Sequence, residues 1–373
     1  MALVVKEVST AKDTKRFIRF PYRLNRRNAF WVPPLLMSQE SLLSERHYFW
    51  RNNKHKFFLA YDGNVCVGRA AAFCDSDHES HFKIKQGFFG FLEAVGDAVV
   101  FHQLLQHCEQ FLNSLGCKSI IGPLSPSIHY ELGVLTEGFE QRPYFMMPYN
   151  VSYYDRHITA YGFTRLKSFS AYKLNVRDFL HTSKMTRARE ILQKRHHITL
   201  RIPDLNKFEQ ELRIFHDIYN SAFAGHWGFA PICWEDFYSL GKDMKMILDK
   251  DMVLIAEKDG KAIGFLLAIP DLNEVLVKIE DGRLFPFGLF KLLALKRKIK
   301  SLRVITVAIK KEYQHLGIGG MLYPEIAQRA KLKGYEQTEL SWVVDDNVQM
   351  NKICNESGGH VYKKYALYEK KLT

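Results

Sequence analysis

No apolar run in this sequence approaches the roughly 18 residues of a membrane span. At the amino end Lys6 and Glu7 follow directly on Val4 and Val5, which leaves no room for the hydrophobic region of a secretory leader. The six cysteines, at 66, 74, 108, 117, 233 and 354, form no CxxC pair, and no histidine cluster has zinc spacing. A disulfide framework and a metal site are therefore not expected, and a reducing, cytoplasmic setting is. Low-complexity tracts are absent too: 47% hydrophobic and 25% charged residues exclude a disordered or collagen-like chain. Acidic residues are in deficit, 40 against 53 Lys and Arg, for a net charge of +13 that favours anionic partners without choosing among phosphates, nucleic acid and lipid. At 373 residues the chain is long enough for two domains.

Present instead are two rounds of one pattern. In the first, an apolar strand at 2–7 precedes a helix over 10–24, runs 57–61 and 65–74 form a hairpin around Asp62-Gly63-Asn64, and a strand over 87–94 leads to a helix over 98–115. Gly116 stands where a C-cap glycine belongs, before a strand over 117–121. The second round places a strand at 198–203, a helix at 207–223, a hairpin at 252–269, a strand at 303–309, a glycine bend, a helix to Lys333 and a strand at 337–344. Each round closes on a glycine pair or glycine-aromatic pair and another strand. The expectation is an α/β (α+β) chain built by duplication, with domains 1–174 and 198–373 joined by a linker helix over 175–197.

Two basic stretches fall outside the pattern. Arg187, Arg189, Lys194 and Arg195 lack the interleaved aromatics that would stack bases, so the linker reads as a solvated connector. Residues 284–300 join an apolar half to Lys296, Arg297, Lys298 and Lys300. An interfacial helix is one reading and an insertion packed on the domain is the favoured one, because Pro286 and Gly288 interrupt the periodicity.

The chemistry is concentrated in Ile309 to Gly320, between a β-branched strand and an amphipathic helix. Glycines at such a junction let backbone N–H groups approach an anion, and the helix dipole adds partial positive charge. No Gly-Lys-Ser/Thr follows, which excludes a Walker loop, and Leu322 occupies the third glycine position of a dinucleotide fingerprint.

Gln314, Gly317 and Gly319 reproduce [Q/R]-x-x-G-x-[G/A], and the stretch resembles motif A of the GNAT superfamily of acyl-CoA-dependent N-acetyltransferases. The resemblance implies that loop amides over Gln314, His315, Leu316, Gly317, Ile318, Gly319 and Gly320 hold the coenzyme A pyrophosphate, and that Val307 and Ile309 line up with the pantetheine arm. A second family element, N-x-x-A-x-x-x-Y-x-x-x-G-F, is matched at Asn347 and Gly358, but Met350, Cys354 and Gly359 replace its alanine, tyrosine and phenylalanine. The family's tyrosine protonates the departing thiolate, so Cys354 is the candidate acid. Pro324 inside the motif A helix is a further departure. Residues 57–174 resemble a second GNAT unit without the glycine loop, which makes the chain similar to tandem GNAT-like bacterial proteins, each unit a mixed, mostly antiparallel sheet flanked by helices.

An alkyl amine with a pKa near about 10.4 must lose a proton before it attacks, at a cost of roughly 4–5 kcal/mol at neutral pH. Glu339, on one face of a strand with Ser341, and Asp345 beyond its end are the candidate bases. Trp227, in a His-Trp-Gly-Phe loop, and Trp342 are the candidate walls of the acceptor pocket. The expected activity is transfer of acetyl from acetyl-CoA, with no metal, to a small-molecule or peptide amine. Two alternatives stay open: a Fem-type aminoacyl transfer from tRNA, the only reading that brings in nucleic acid, and a non-catalytic acyl-CoA-binding protein.

Overall fold

The computed structural model describes residues 3–179 and 183–372. The first round comprises β1 (Leu3–Glu7), α1 (Ala11–Leu24), α2 (Leu36–Leu42), α3 (Tyr48–Asn52), β2 (His55–Asp62), β3 (Val65–Cys74) and α4 (Ser76–Phe82). It continues with β4 (Gln86–Ala94), α5 (Ala98–Ser114), β5 (Ser119–Gly122), β6 (Leu124–Ser125), β7 (Glu131–Leu132), β8 (Val134–Glu137), α6 (Tyr153–Ala160) and β9 (Thr164–Asn175). Next come α7 (Ser183–His196), β10 (Ile198–Arg201), α8 (Phe208–Phe223), α9 (Trp234–Lys245), β11 (Val253–Lys258) and β12 (Lys261–Pro270). The chain ends with α10 (Asn273–Leu276), α11 (Phe287–Lys296), β13 (Ser301–Ile309), α12 (Gly319–Leu332), β14 (Gln337–Val344), α13 (Val348–Glu356) and β15 (His360–Lys371). The mixed α/β class expected from the sequence is observed, and β14 falls on the residues expected of it. Residues 180–182 of the anticipated linker lie outside the described residues.

Two compact units result. Unit 1 holds residues 1–169, 273–297 and 363–373; unit 2 holds residues 170–272 and 298–362. The sheet of unit 1 runs β1-β2-β3-β4-β5-β15, antiparallel except for the parallel pair β4 and β5. Its core forms because Val100, Phe101, Leu104, Leu105, Cys108 and Leu112 recur at helical spacing on α5 and turn one stripe onto the sheet, where each is buried. Asp97 starts this helix, its carboxylate accepting the Val99 N–H at 2.8 Å.

Unit 2 runs β10-β11-β12-β13-β14-β9; β10 to β13 pair antiparallel and β13 with β14 parallel. Alternation along β11 sorts its two faces: Leu254 and Ala256 join a core with Met321, Leu322 and Ile326 of α12, while Ile255 joins Ile218 and Ala222 of α8 on the other side. The linker helix α7 is not merely a solvated connector. Leu192 is buried in the α12 core, and Arg189 forms an ion pair with Glu325 at 3.2 Å. α12 itself runs unbroken through Pro324.

Candidate active site

β13 and β14 begin side by side and then part. Their parallel ladder runs from Ser301 opposite Gln337 to Val304 opposite Leu340, although β13 continues to Ile309 and β14 to Val344. β13 meanwhile stays on β12, where the register shifts: Ala268 faces Val304 and Leu267 faces Thr306, so Ile305 is an extra residue. A bulge of this kind bends its strand and ends pairing on the free side. Beyond Val304 and Leu340 the two strands are no longer paired with each other, and the gap between them is the candidate cleft.

The cleft leads to the glycine loop. After Ile309 the chain makes a 3₁₀ turn over Lys311–Leu316, Gly317 adopts φ 72°, and α12 starts at Gly319. A Cβ on Gly317 would meet nothing within 4 Å, so the space over the loop is open. Gln314 braces the turn, its Nε2 donating to the carbonyls of Ile309 at 3.1 Å and Ala222 at 3.2 Å. Ile318 is fully buried and pins the helix start, whereas His315 and Gly317 face outward and Leu316 is half-buried. α12 has no side-chain cap and no acidic residue in its first turn. The N–H groups of Gly317, Gly320 and Met321 bond the carbonyls of Gln314, Gly317 and Ile318 at 3.4, 2.9 and 2.9 Å, which leaves the N–H groups of Ile318 and Gly319, with no backbone acceptor among the described residues, at the positive end of the dipole. Gly320 matters for a different reason: a Cβ there would sit 3.3 Å from Ala188 of α7.

On the face away from α12 lies a buried polar cluster. Arg303 and Glu339 are direct partners across the β13–β14 ladder, 1% and 0% exposed. Arg303 Nε donates to Ser341 Oγ at 2.9 Å and lies 3.4 Å from Glu339 Oε1. Ser341 Oγ donates to Glu339 Oε1 at 2.5 Å, the Tyr362 hydroxyl donates to Oε2, and the Arg303 guanidinium stacks 4.9 Å from the Trp342 ring. Glu339 thus has no face of its own in water, and the Ser341 and Tyr362 hydroxyls lie against its oxygens. Asp345 is the reverse case, exposed at the end of β14, with Ser170 Oγ donating to it at 2.8 Å.

At the start of α13, Asn347 serves as N-cap, its Oδ1 accepting from Met350 N–H at 3.0 Å. Asn351 ties the same turn down through the carbonyls of Val344, Asp345 and Asn347, and receives the Tyr172 hydroxyl at 2.8 Å. Cys354 is wholly buried, and burial pushes its thiol up to about 12. The Tyr323 hydroxyl, 3.4 Å from Met350 Sδ, is raised first by burial and then by Cys354. Trp227 stands 45% exposed in the α8–α9 loop. Sequence reading missed Arg303, Tyr362, Asn351 and Tyr323. An arginine inside the apolar run 301–309 was the one available signal.

Unit 1 repeats this design in a closed form. β4 and β5 are parallel from Gln86 opposite Ser119 to Phe88 opposite Ile121, and β4 carries an irregularity where Phe91 takes φ 48°. Here the chain after β5 fills the gap. A Cβ on Gly90 would fall 1.5 Å from the Leu124 carbonyl oxygen, and Ser125 Oγ accepts from Phe91 N–H at 3.3 Å. The following helix is capped by Asp97, whose negative charge repels an anion at that end.

Comparison with known proteins accords with this geometry. A model described as the acetyltransferase (GNAT) family matches residues 212–355. The chain is 32% identical over 379 residues to the bacterial ceramide synthase of Caulobacter vibrioides, covering 99% of this chain and 98% of that one. It is 30% identical over 380 residues to Protein YghO of Escherichia coli K12, covering 99% and 95%. Among solved structures, a tandem GNAT protein from the clavulanic acid biosynthesis pathway aligns over 100% of this chain and 99% of its own, with a TM-score of 0.57 at 9% identity. Residues 212–355, which carry the glycine loop, belong to the acetyltransferase (GNAT) family, and the chain as a whole has the fold of a tandem GNAT protein.

Proposed function

We propose that unit 2 transfers an acyl group from an acyl-CoA thioester to a primary amine, and that the amine is a long-chain lipid amine rather than a peptide. The parting of β13 and β14 beside an uncapped helix start carries the first half of this reading. An extended arm bearing amides suits the gap between the parted strands, 305–309 and 341–344, and a pyrophosphate suits the N–H groups of Ile318 and Gly319 at the start of α12. Full-length similarity to a ceramide synthase supports the second half, since a ceramide is an amide of a long-chain amino alcohol. The same similarity favours an acyl group longer than acetyl.

In this reading the amine attacks the thioester carbonyl at the mouth of the cleft. Its proton passes to Ser341 Oγ as that hydroxyl passes its own to Glu339; Asp345, reached through water, is the exposed alternative. Arg303 holds Glu339 in place. A thiol with a pKa of about 8.5 departs as thiolate without much help. Incubating the full chain with acyl-CoA donors from acetyl to palmitoyl, against a long-chain amino alcohol and a peptide amine, tests the proposal. Amide formation with the lipid amine and a long acyl donor is expected; turnover confined to acetyl-CoA and the peptide would overturn the acceptor and chain-length assignment.

Cys354 acts by packing in this account. Cys354→Ala should cost about 1 kcal/mol of stability at neutral pH and leave the pH profile of turnover unchanged. The sign of the pH effect follows from burial: the folded-state thiol is raised from 9.0 to about 12, so its contribution is full below 9 and is lost as pH rises toward 12. Denaturant melts should show the gap between wild type and variant narrowing over that range. An altered high-pH limb of turnover in Cys354→Ala would restore the thiol as acid.

A further inference from the structure

α11 is the most water-exposed apolar element of unit 1. Phe287 and Phe290 are 74% and 70% exposed, Leu293 is 64% and Phe285, just before the helix, 63%. Phe287, Phe290 and Ala294 follow helical spacing and share one face with Leu293 beside it, while Gly288 is buried and Leu289, Leu292 and Leu295 are half-buried. Large aromatics gathered on one outward face are uncommon on a protein surface and mark a binding face.

The element is held firmly where it meets unit 1. Leu36 N–H donates to the Gly282 carbonyl at 2.8 Å, and Asn273 Nδ2 donates to the Pro143 carbonyl at 2.8 Å. Gly282 itself takes φ 68°, and a Cβ there would lie 2.6 Å from the Pro34 carbonyl oxygen. Lys291 Nζ closes back on the Lys278 carbonyl at 2.8 Å. α11 is therefore a braced platform, not a frayed arm.

Charge selects the partner. From Gly282 to Lys300 the sequence has Arg283, Lys291, Lys296, Arg297, Lys298 and Lys300 and no acidic residue; Asp281 just before it pairs with Arg283 and Glu336 with Lys300, so the cations that select the partner are Lys296, Arg297 and Lys298 at the end of α11. A second copy of this face would bring the same cations against it, and like charges facing each other oppose such pairing. A lipid surface carrying anionic headgroups satisfies both features at once: the aromatic face enters the acyl boundary and the cations meet the headgroups. No helix among the described residues is long and apolar enough to cross a membrane, so the contact is parallel to the surface.

We propose that α11, with Phe285, docks the protein on an anionic membrane surface. This goes beyond the acyl-transfer reading and does not depend on it, because an enzyme for a soluble amine would dock by the same face. The test is co-sedimentation of the full chain with vesicles of phosphatidylcholine, with and without phosphatidylglycerol. Wild type should bind the anionic vesicles and be released by salt. Phe287→Ser/Phe290→Ser should weaken binding about tenfold or more, and Lys296→Glu/Arg297→Glu should remove the preference for phosphatidylglycerol. Phe290→Trp, a milder change, should add an emission component that shifts to the blue on anionic vesicles. CoA affinity should be the same in all these variants, which separates failure here from failure of the acyl-transfer reading. Wild type that ignores anionic vesicles, a folded serine variant that binds like wild type, no blue shift in the Phe290→Trp variant, or a dimer in solution dispersed by the serine substitutions would each overturn the proposal.

Discussion

Gly317→Glu is expected to give a folded protein whose CoA affinity is at least about 100-fold weaker, a loss of about 2.7 kcal/mol or more. No protein atom lies within 4 Å of the Cβ that glutamate would add, so its side chain projects into the space over the α12 N-terminus. There it puts a carboxylate where the account places pyrophosphate, and the helix dipole that favoured the ligand favours the carboxylate instead. Backbone strain is a separate and smaller effect. Gly317 has φ 72°, and a Cβ in that conformation costs about 1–2 kcal/mol. Gly317→Ala carries this strain without the charge, so calorimetry on the two variants divides them: alanine should lose stability and keep most CoA binding, glutamate should lose both. Equal CoA affinity in wild type and a folded Gly317→Glu would remove the loop from the site.

The second large effect is at Glu339. Glu339→Ala leaves the Arg303 guanidinium buried without its carboxylate, and breaking a buried pair from one side costs about 3–5 kcal/mol. Glu339→Gln keeps an acceptor for Ser341 and Tyr362 and should cost less. Turnover distinguishes a structural carboxylate from one that takes the proton. With Glu339 at the end of the Ser341 relay, Glu339→Gln lowers kcat by about 10²–10⁴-fold and alters the low-pH limb. A double variant, Glu339→Gln/Arg303→Met, removes the lone buried charge and should recover stability without recovering rate. Recovery of both would make the pair structural and leave Asp345, reached through water, as the base.

What the sequence revealed was local. β14, Gln337–Val344, alternates and is bounded by turn residues, and α5 shows its buried stripe as a periodicity. The loop from Gln314 to Gly320 was legible because Gln314, Gly317 and Gly319 stand in register with the family motif, with Asn347 and Gly358 of its second element at the expected distance. What stayed hidden depends on neighbours distant in sequence. Nothing in 301–309 marks Ile305 as a bulge, since the extra residue is defined only against β12. Glu339 reads as one face of a strand, yet its burial depends on a parallel register that sets Arg303 opposite it. Residues 170–175 close the sheet of unit 2 and residues 363–371 that of unit 1, so each unit takes a strand from the other half of the chain. Local pattern cannot show such an exchange. α7 was read by its charges, and the buried Leu192 that seats it on α12 is one of only four apolar residues among them.

A crystal structure of the full chain with CoA tests the central claim most directly. One molecule per chain is predicted, its pyrophosphate within hydrogen-bond distance of the N–H groups of Ile318 and Gly319 and its pantetheine arm between 305–309 and 341–344. Unit 1, filled by Leu124 and capped by Asp97, should hold none. CoA bound at the start of α5, or an intact β13–β14 cleft left empty at saturating CoA, would contradict it.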